Sequence, residues 1–179
     1  MTDKHIYIVP IEFYNSHLLT SLRLYLSNAF GMPTQIKNQP INLDTVFDPF
    51  RNQYNSSYLL RQLISNPQPD AARILGVCRV DLFIPILTFV FGEAQLQGIG
   101  AIVSIHRLRN EFYGGAPDSH LLMERLLKEA THELGHTFGL YHCHNQACVM
   151  NSSTYVEDID EKSVLFCPAC ARHVKSGIA

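Results

Sequence analysis

The feature that most restricts how this chain can fold is the stretch HELGHTFGLYH, which runs from His132 to His142. His132 and His136 are four residues apart, so in a helix they project from one face and can bind the same metal ion. Gly139 suits the left-handed position that ends a helix sharply, and the chain beyond it can turn back and bring His142 to that ion. Three histidines leave the fourth position of a tetrahedral zinc ion open, which is typical of catalytic zinc sites and not of structural ones.

Glu133 directly follows the first histidine, which places its carboxylate beside the predicted zinc ion and not on it. From there it can take a proton from a zinc-bound water, as a general base does. The composition of this chain gives the complete pattern of three histidines, one glutamate and one glycine a chance of roughly five in 100,000 of arising by accident. The pattern therefore predicts a catalytic zinc site, and not ordinary polar residues of a helix and its following loop.

Four of the five cysteines lie in the last part of the chain, as a C-x4-C pair followed by a C-x2-C pair. Four thiolates with this spacing can form a closed tetrahedral site, which predicts a second, structural zinc ion bound by Cys143, Cys148, Cys167 and Cys170. That ion would hold the C-terminal segment, whose apolar content is low, and would fix the chain beside His142. Two alternatives stay open, namely a disulfide within the cluster and His144 in place of one thiolate.

The overall composition argues against two classes of partner. The formal net charge is −2 and no dense run of Lys and Arg is present, so the chain lacks the basic patch that nucleic acids or anionic membranes require. The longest apolar run, residues 82–92, is interrupted by Pro85 and Thr88 and is shorter than the roughly 18 residues that a membrane-spanning helix needs. The N-terminal residues do not resemble a secretory signal. These features predict a cytoplasmic protein with a peptide or small-molecule partner, and they leave the oligomeric state open.

The apolar pattern alternates between strand and helix periods along the chain, which predicts an α/β layer fold with a mostly parallel or mixed sheet. Short apolar runs predict strands at residues 5–11, 33–38, 73–80, 87–94 and 98–105. Helical spacing predicts helices at residues 15–31, 56–66 and 120–140, and Asp118 or Ser119 can cap the last of them. Residues 40–55 contain two prolines and are predicted to be a long connection. Cys78 is predicted to be a buried core residue.

These residues carry a resemblance to a known family. HELGHTFGLYH resembles the extended zinc motif of the metzincin metallopeptidases, and the continuation C-x4-C-x-M-x16-C-x2-C is similar to that of one branch, the archaemetzincins. The stretches VDLFIPILTFVFGEA and RLRNEFYG also resemble that family. The resemblance implies that the three histidines are catalytic zinc ligands, that Glu133 is the general base and that the four cysteines form the second zinc site. It also implies that Met150 is the methionine of the family's Met-turn, which lies beneath the zinc site.

The resemblance further implies a compact metzincin-like α/β domain with a mixed, mostly parallel five-stranded sheet, an active-site helix and a small C-terminal segment stapled by zinc. We expect a single metallopeptidase domain over residues 1–179, with an N-terminal subdomain at 1–142 and the Met-turn and cysteines at 143–179. An extended peptide would lie antiparallel to an edge strand of the sheet. Residues 88–94 are the candidate for that edge, although the same segment is equally compatible with an internal strand. Ser152 stands where some metzincins carry a tyrosine that assists the reaction.

The predicted function is zinc-dependent hydrolysis of peptide bonds, in which Glu133 activates a zinc-bound water and each chain holds two Zn²⁺ ions. The substrate would be a peptide or protein, cleaved either internally or from its N-terminus. The alternative is a catalytically silent, zinc-containing module that binds peptides in the same groove. The intact glutamate beside three histidines favours the enzyme, because a binding module has no use for a base next to the metal.

Overall fold

The computed structural model describes residues 4–178 as a mixed α/β structure. In chain order its strands are β1 (His5–Ile11), β2 (Thr34–Ile36), β3 (Phe47–Asp48), β4 (Gln53–Asn55), β5 (Ala71–Cys78), β6 (Leu82–Phe83), β7 (Gly92–Ala94) and β8 (Gly100–Ser104). Its α-helices are α1 (Ser16–Phe30), α2 (Ser56–Leu63), α3 (Ser119–Thr137), α4 (Val156–Glu161) and α5 (Pro168–Ile178). Short 3-10 helices lie at Asp44–Val46 and Asn110–Tyr113.

The main sheet has five strands in the order β2-β1-β5-β8-β7. The first four strands are parallel to one another, and β7 pairs antiparallel with β8. The prediction of a mixed, mostly parallel five-stranded sheet is therefore confirmed. β7 lies at one edge of this sheet, so the segment that contains it is an edge strand and not an internal one.

The edge strand is shorter than the predicted span of residues 87–94, because the chain leaves the sheet before Phe91, whose carbonyl still accepts from the Ser104 amide of β8. A turn in which the Leu87 amide donates to the Ile84 carbonyl precedes this point, and only Val90 forms an isolated antiparallel bridge, to Leu82. Pro85 in this turn has no amide hydrogen to donate to a neighbouring strand. Residues 84–91, which we call the rim segment, therefore follow the sheet edge in an irregular conformation.

The predicted long connection at residues 40–55 is wrong in part. Strands β3 and β4 pair antiparallel within it, and β4 pairs in parallel with β6 to complete a small three-stranded sheet. Each of these strands has only two or three residues. Such lengths are too short for an apolar alternation to be recognised in the sequence.

The helices begin at residues whose side chains cap them. The Asn15 side chain accepts a hydrogen bond from the Leu18 amide at the start of α1, and Gly31 has the left-handed φ of 61° that ends this helix. Asp118, one of the two predicted caps of α3, accepts from the Leu121 amide. Helices α2 and α3 both end three residues before the predicted ends at residues 66 and 140.

Apolar side chains on both faces of the main sheet form the core. On one face α1 and α3 contribute fully buried leucines such as Leu22, Leu26 and Leu134, and on the other face α2 contributes Leu59 and Leu63. This packing fixes α3, the helix that carries the predicted ligands, across the sheet next to β7 and β8.

Cys78 is fully buried in the core, as predicted, and burial raises the pKa of its thiol to about 12. Within residues 4–178, none of the helices has the combined length and apolarity that crossing a bilayer requires.

Candidate active site

Three histidines converge near the C-terminal end of α3. His132 and His136 lie on α3, and His142 lies in the chain that follows it. One nitrogen of each ring lies within 4.8 Å of the others, and the two Nε2 atoms of His132 and His136 are 3.1 Å apart. Two nitrogens bound to a tetrahedral zinc ion at about 2.0 Å are separated by about 3.3 Å. The cluster therefore has the spacing that one zinc ion requires.

Hydrogen bonds to backbone carbonyls orient two of these rings. His132 Nδ1 lies 2.9 Å from the Val149 carbonyl oxygen, and His136 Nδ1 lies 2.7 Å from the Leu140 carbonyl oxygen. Because a carbonyl only accepts, each Nδ1 carries the proton and each Nε2 lone pair points into the cluster. Facing lone pairs repel unless a cation lies between them, which fits a metal site. Burial lowers the pKa of both rings, that of His132 well below its usual value, so both stay neutral and able to bind a metal.

Two glycines shape the backbone around the cluster. Gly139 has a φ of 90° at the position where the sequence predicts a left-handed turn, and its amide donates to the His136 carbonyl. Gly135 lies against Met150, since a Cβ added to this glycine would overlap Met150 Sδ. Met150 thus packs directly beneath the helix between the two histidines. We did not predict a role for Gly135, although a glycine inside a helical pattern is a signal of close packing.

Glu133 is buried between α3 and β7, beside the histidines. Gly92 lies directly over it, because a Cβ added to Gly92 would be 2.7 Å from Glu133 Cγ. Burial, and then the negative charge of Glu129, raise the pKa of Glu133 well above its usual value. A carboxylate with a raised pKa is a stronger base, which is the property that proton abstraction from water requires.

A buried ion pair that the sequence did not reveal borders the same site. Lys162 Nζ lies 2.8 Å from Glu129 Oε1, and each residue is only 3% exposed. Glu129 lies one helical turn before Glu133, and Lys162 directly follows α4 and also donates to the Asn151 carbonyl at 3.2 Å. Burial first, and then the charge of Lys162, lower the pKa of His142. Lysine is almost never buried without a partner, and a lysine in a polar segment gives no sequence signal of burial.

Four cysteines form a second cluster next to the first. Their sulfur atoms lie within 4.8 Å of one another, and the sulfurs of Cys143 and Cys167 are 3.9 Å apart. Sulfurs bound to one tetrahedral zinc ion at about 2.3 Å are separated by about 3.8 Å. All the cysteines are free thiols, and a hydrogen bond from the Cys170 backbone lowers the pKa of Cys167 to about 7. His144 is exposed and lies outside the cluster.

The histidine cluster lies in a groove with a volume of about 560 Å³. The rim segment and β7 line one side of the groove, α3 supplies its base, and Tyr141 and residues 152–154 line the other side. Ser152 is therefore part of the groove wall. Tyr155 is exposed and lies at the N-terminal cap of α4, outside the groove.

An open three-histidine site with a buried glutamate, set beside an unpaired strand edge, suits the hydrolysis of an extended peptide. The fold and this site together define the chain as a zinc metallopeptidase. The family model described as peptidase family M54 matches residues 31–176. The chain belongs to peptidase family M54.

Relatives and solved structures agree with this assignment. The archaemetzincin of Pyrococcus furiosus is 42% identical over 177 residues, which cover 95% of this chain and 92% of the relative. That of Methanocaldococcus jannaschii is 38% identical over 168 residues, which cover 94% of this chain and 91% of the relative. These likenesses confirm the predicted resemblance to the archaemetzincins.

Two crystal structures extend the likeness to the fold. The archaemetzincin from Methanopyrus kandleri superposes with a TM-score of 0.85 at 33% identity and covers 98% of this chain and 95% of that chain. The archaemetzincin from Archaeoglobus fulgidus, complexed with malonate, superposes with a TM-score of 0.80 at 38% identity and covers 94% of this chain and 99% of that chain. The family therefore favours the peptidase over the silent binding module.

Proposed function

We propose that His132, His136 and His142 hold the catalytic zinc ion of this peptidase and that Glu133 is its general base. The observation that carries the proposal is the convergence of three ring nitrogens on one point beside a buried carboxylate. When bound, zinc polarises water and the scissile carbonyl, which lowers the barrier to hydrolysis. The neutral state that burial favours for the histidines supports their role as ligands.

In this proposal Glu133 moves the proton. Its carboxylate accepts a proton from the attacking water, whose oxygen forms a bond to the carbonyl carbon of the scissile peptide. The same carboxyl group then donates that proton to the peptide nitrogen as the carbon–nitrogen bond breaks, which leaves a new carboxyl terminus and a free amine. The contact between Gly92 and Glu133 supports this role, since a substrate lying along β7 would pass directly over the base.

The peptide is proposed to bind as an additional strand, antiparallel to β7. Among the described strands, β7 pairs only with β8, so its other edge is open to the groove. Backbone hydrogen bonds along this edge would supply affinity for any sequence, and pockets in the groove would supply selectivity.

The four cysteines are proposed to hold a second, structural zinc ion, which gives two zinc ions per chain. The Cys143 amide donates to the Met150 carbonyl and the Asn151 side chain donates to the Cys143 carbonyl, each at 2.9 Å. These bonds order the segment after His142, and the contacts of His132 with the Val149 carbonyl and of Arg125 with Asp160 tie that segment to α3, which supports a single domain. The position of Met150 supports a place in the metzincin clan, and the free thiols support a cytoplasmic location.

The catalytic roles are tested by replacing the base. Glu133→Ala should lower kcat by about 10²- to 10⁴-fold, the usual contribution of a general base, while the zinc content measured by mass spectrometry stays the same. The assay is cleavage of a diverse peptide library, followed by kinetics on one cleaved peptide.

Glu111→Ala is the matched control, because Glu111 is an exposed glutamate that does not line the groove and whose side chain forms no ion pair within residues 4–178. It should retain wild-type turnover. Undiminished hydrolysis by the Glu133 variant would rule out this mechanism, and loss of zinc from that variant would show that Glu133 acts on the metal site instead.

A further inference from the structure

The contacts between β7 and α3 define the direction in which a bound peptide would run along the groove. Gly92, the first residue of β7, lies over Glu133, and the amide of Gln97, beyond the end of β7, donates to the His136 carbonyl at 3.0 Å. β7 therefore runs in the same direction as α3. A peptide antiparallel to β7 would run the opposite way, so its residues after the scissile bond would pass from Glu133 towards Glu129, one turn earlier on the helix.

Two polar groups without hydrogen-bond partners line that end of the groove. Glu129 Oε1 accepts from Lys162, whereas within residues 4–178 no donor contacts Glu129 Oε2. The Ser153 hydroxyl is buried and likewise has no partner in the described part of the chain. Lys162 binds both Glu129 Oε1 and the carbonyl of Asn151, two residues before Ser153, which indicates that Glu129 and Ser153 lie at the same end of the groove. A buried hydroxyl such as that of Ser153 is unfavourable unless a ligand or water satisfies it, and Glu129 Oε2 is left to accept from a donor in the groove.

We propose that Glu129, Ser153 and Thr154 form a polar pocket for the side chain that follows the scissile bond, and that this pocket selects the neutral hydrogen-bond donors Ser, Thr, Asn and Gln. Each of the three residues lines the groove. A donor on the substrate would satisfy Glu129 Oε2, and its hydroxyl or amide oxygen could accept from Ser153. The inference rests on the proposed function, because it takes the direction of the peptide from antiparallel binding to β7.

The charges around the pocket argue against the other classes of side chain. Lys162 neutralises Glu129 at 2.8 Å, so the pocket offers no net negative charge to attract a substrate lysine or arginine. An acidic side chain has no hydrogen to donate when ionised, so it would leave Glu129 Oε2 without a partner. An aliphatic side chain would fill the space but leave both Glu129 Oε2 and the Ser153 hydroxyl unpaired.

The selectivity is tested with pairs of peptides that differ only in one side chain of equal size. Threonine is compared with valine, and asparagine with leucine, at the position after the cleaved bond. A hydrogen bond to a charged group predicts that wild type cleaves the threonine and asparagine peptides with kcat/KM about ten- to a hundredfold higher. Equilibrium binding of the same peptides to the Glu133→Ala variant provides a second measurement that does not depend on turnover.

Variants of the pocket residues show which side chains cause the selectivity between the paired peptides. Removing Glu129 alone would leave the buried charge of Lys162 without a counter-ion, and such a variant can fail to fold. The double variant Glu129→Leu/Lys162→Met replaces the pair with apolar side chains of similar size, and it should cleave the valine peptide as well as or better than the threonine peptide. Ser153→Ala should reduce the preference severalfold, whereas Ser65→Ala, at an exposed position away from the groove, should leave it unchanged.

The outcomes separate this inference from the function on which it rests. Equal cleavage and equal binding of the paired peptides by proteins with an intact pocket would overturn the pocket and leave the catalytic roles standing. A preference that survives unchanged in the double variant would also overturn it. Tight, selective binding without cleavage by the zinc-loaded wild type would instead overturn the catalytic roles and support the pocket.

Discussion

At the scale of single residues, glycines decide how closely the parts of the site approach. Gly92 allows the edge strand to lie against Glu133, and Gly135 allows Met150 to lie against α3. In both cases any side chain would occupy space that another residue already fills. The distance between Glu133 and the strand that is proposed to bind the peptide therefore depends on Gly92, a residue without a side chain.

Gly92→Ala should reduce the activity of the site more than the stability of the fold. The added Cβ would lie 2.5 Å from the Ile102 carbonyl oxygen as well as 2.7 Å from Glu133 Cγ, so either the strand or the carboxylate must move. We expect a loss of about 1–3 kcal/mol in the free energy of unfolding. We expect kcat/KM to fall by about a hundredfold, since displacements of about 1 Å have effects of that size. Urea unfolding and peptide kinetics measure the two effects.

Gly177→Ala is the matched control for this change. An added Cβ at Gly177 meets no atom nearer than 3.7 Å, and the residue lies in helix α5, so stability should rise slightly and activity should not change. If Gly92→Ala retained wild-type kcat/KM, the close approach of β7 to Glu133 would have no importance for catalysis.

At the scale of elements, the small three-stranded sheet holds the rim segment in place. From the loop between β3 and β4, Arg51 donates to the Leu87 and Thr88 carbonyls at 2.7 and 3.1 Å, and Gln53 on β4 donates to the Thr88 carbonyl at 3.0 Å. Arg51 also stacks over the Phe83 ring at 4.2 Å. These contacts satisfy carbonyls that no neighbouring strand reaches, and they order one wall of the groove.

Arg51→Ala should therefore weaken substrate binding more than it slows the chemical step. Without its guanidinium the rim segment gains freedom, and peptide binding must order it again at a cost of about 0.5–1.5 kcal/mol per immobilised side chain. We expect KM to rise about two- to tenfold with kcat nearly unchanged, together with faster proteolytic cleavage within residues 84–91. Arg61→Ala, which removes an exposed arginine stacked on Tyr58, is the control and should change neither. An unchanged KM for Arg51→Ala would show that other contacts hold the wall.

The same elements show what the sequence could and could not predict. The strand at residues 5–11, the capped helices and the spacing of the histidines are set by local patterns, and they agree with the structure. The small sheet and the rim segment depend on long-range contacts of Arg51, which no local pattern encodes. Likewise, the buried Glu129–Lys162 pair joins residues that are 33 positions apart. The convergence of the three histidines was predictable because their spacing is local, and it agrees with the structure, whereas the walls of the groove were not predictable; the zinc-binding roles stay predictions.

At the scale of the whole molecule, the C-terminal segment and α3 stabilise each other. On α3, Arg125 binds both carboxylate oxygens of Asp160, at 2.7 and 2.6 Å, and Lys128 donates to the Asp160 carbonyl at 3.0 Å. The Val149 carbonyl, one residue after Cys148, orients the ring of His132. Loss of order in the cysteine cluster should therefore be transmitted to the histidine cluster.

Cys167→Ser tests this coupling between the two proposed metal sites. The variant should lose the structural zinc ion and, because the ion holds a segment with few apolar residues, roughly 4 kcal/mol or more of stability, with Tm lower by about 10 °C or more. The zinc ion at the histidines should also bind more weakly, since Val149 and the chain after His142 lose their anchor. Mass spectrometry of the native protein counts the ions, and competition with a chelator measures the affinity of the remaining site.

Cys78→Ala is the control for Cys167→Ser, because it removes a cysteine that is not a proposed zinc ligand. Cys78 is buried in the core and away from the cluster, so its variant should lose a little stability but keep the same zinc content as wild type. Two zinc ions retained by Cys167→Ser would contradict the proposed four-cysteine site. One ion lost with the affinity at the histidines unchanged would instead show that the C-terminal contacts of α3, such as Arg125 with Asp160, hold the histidine cluster without help from the second metal.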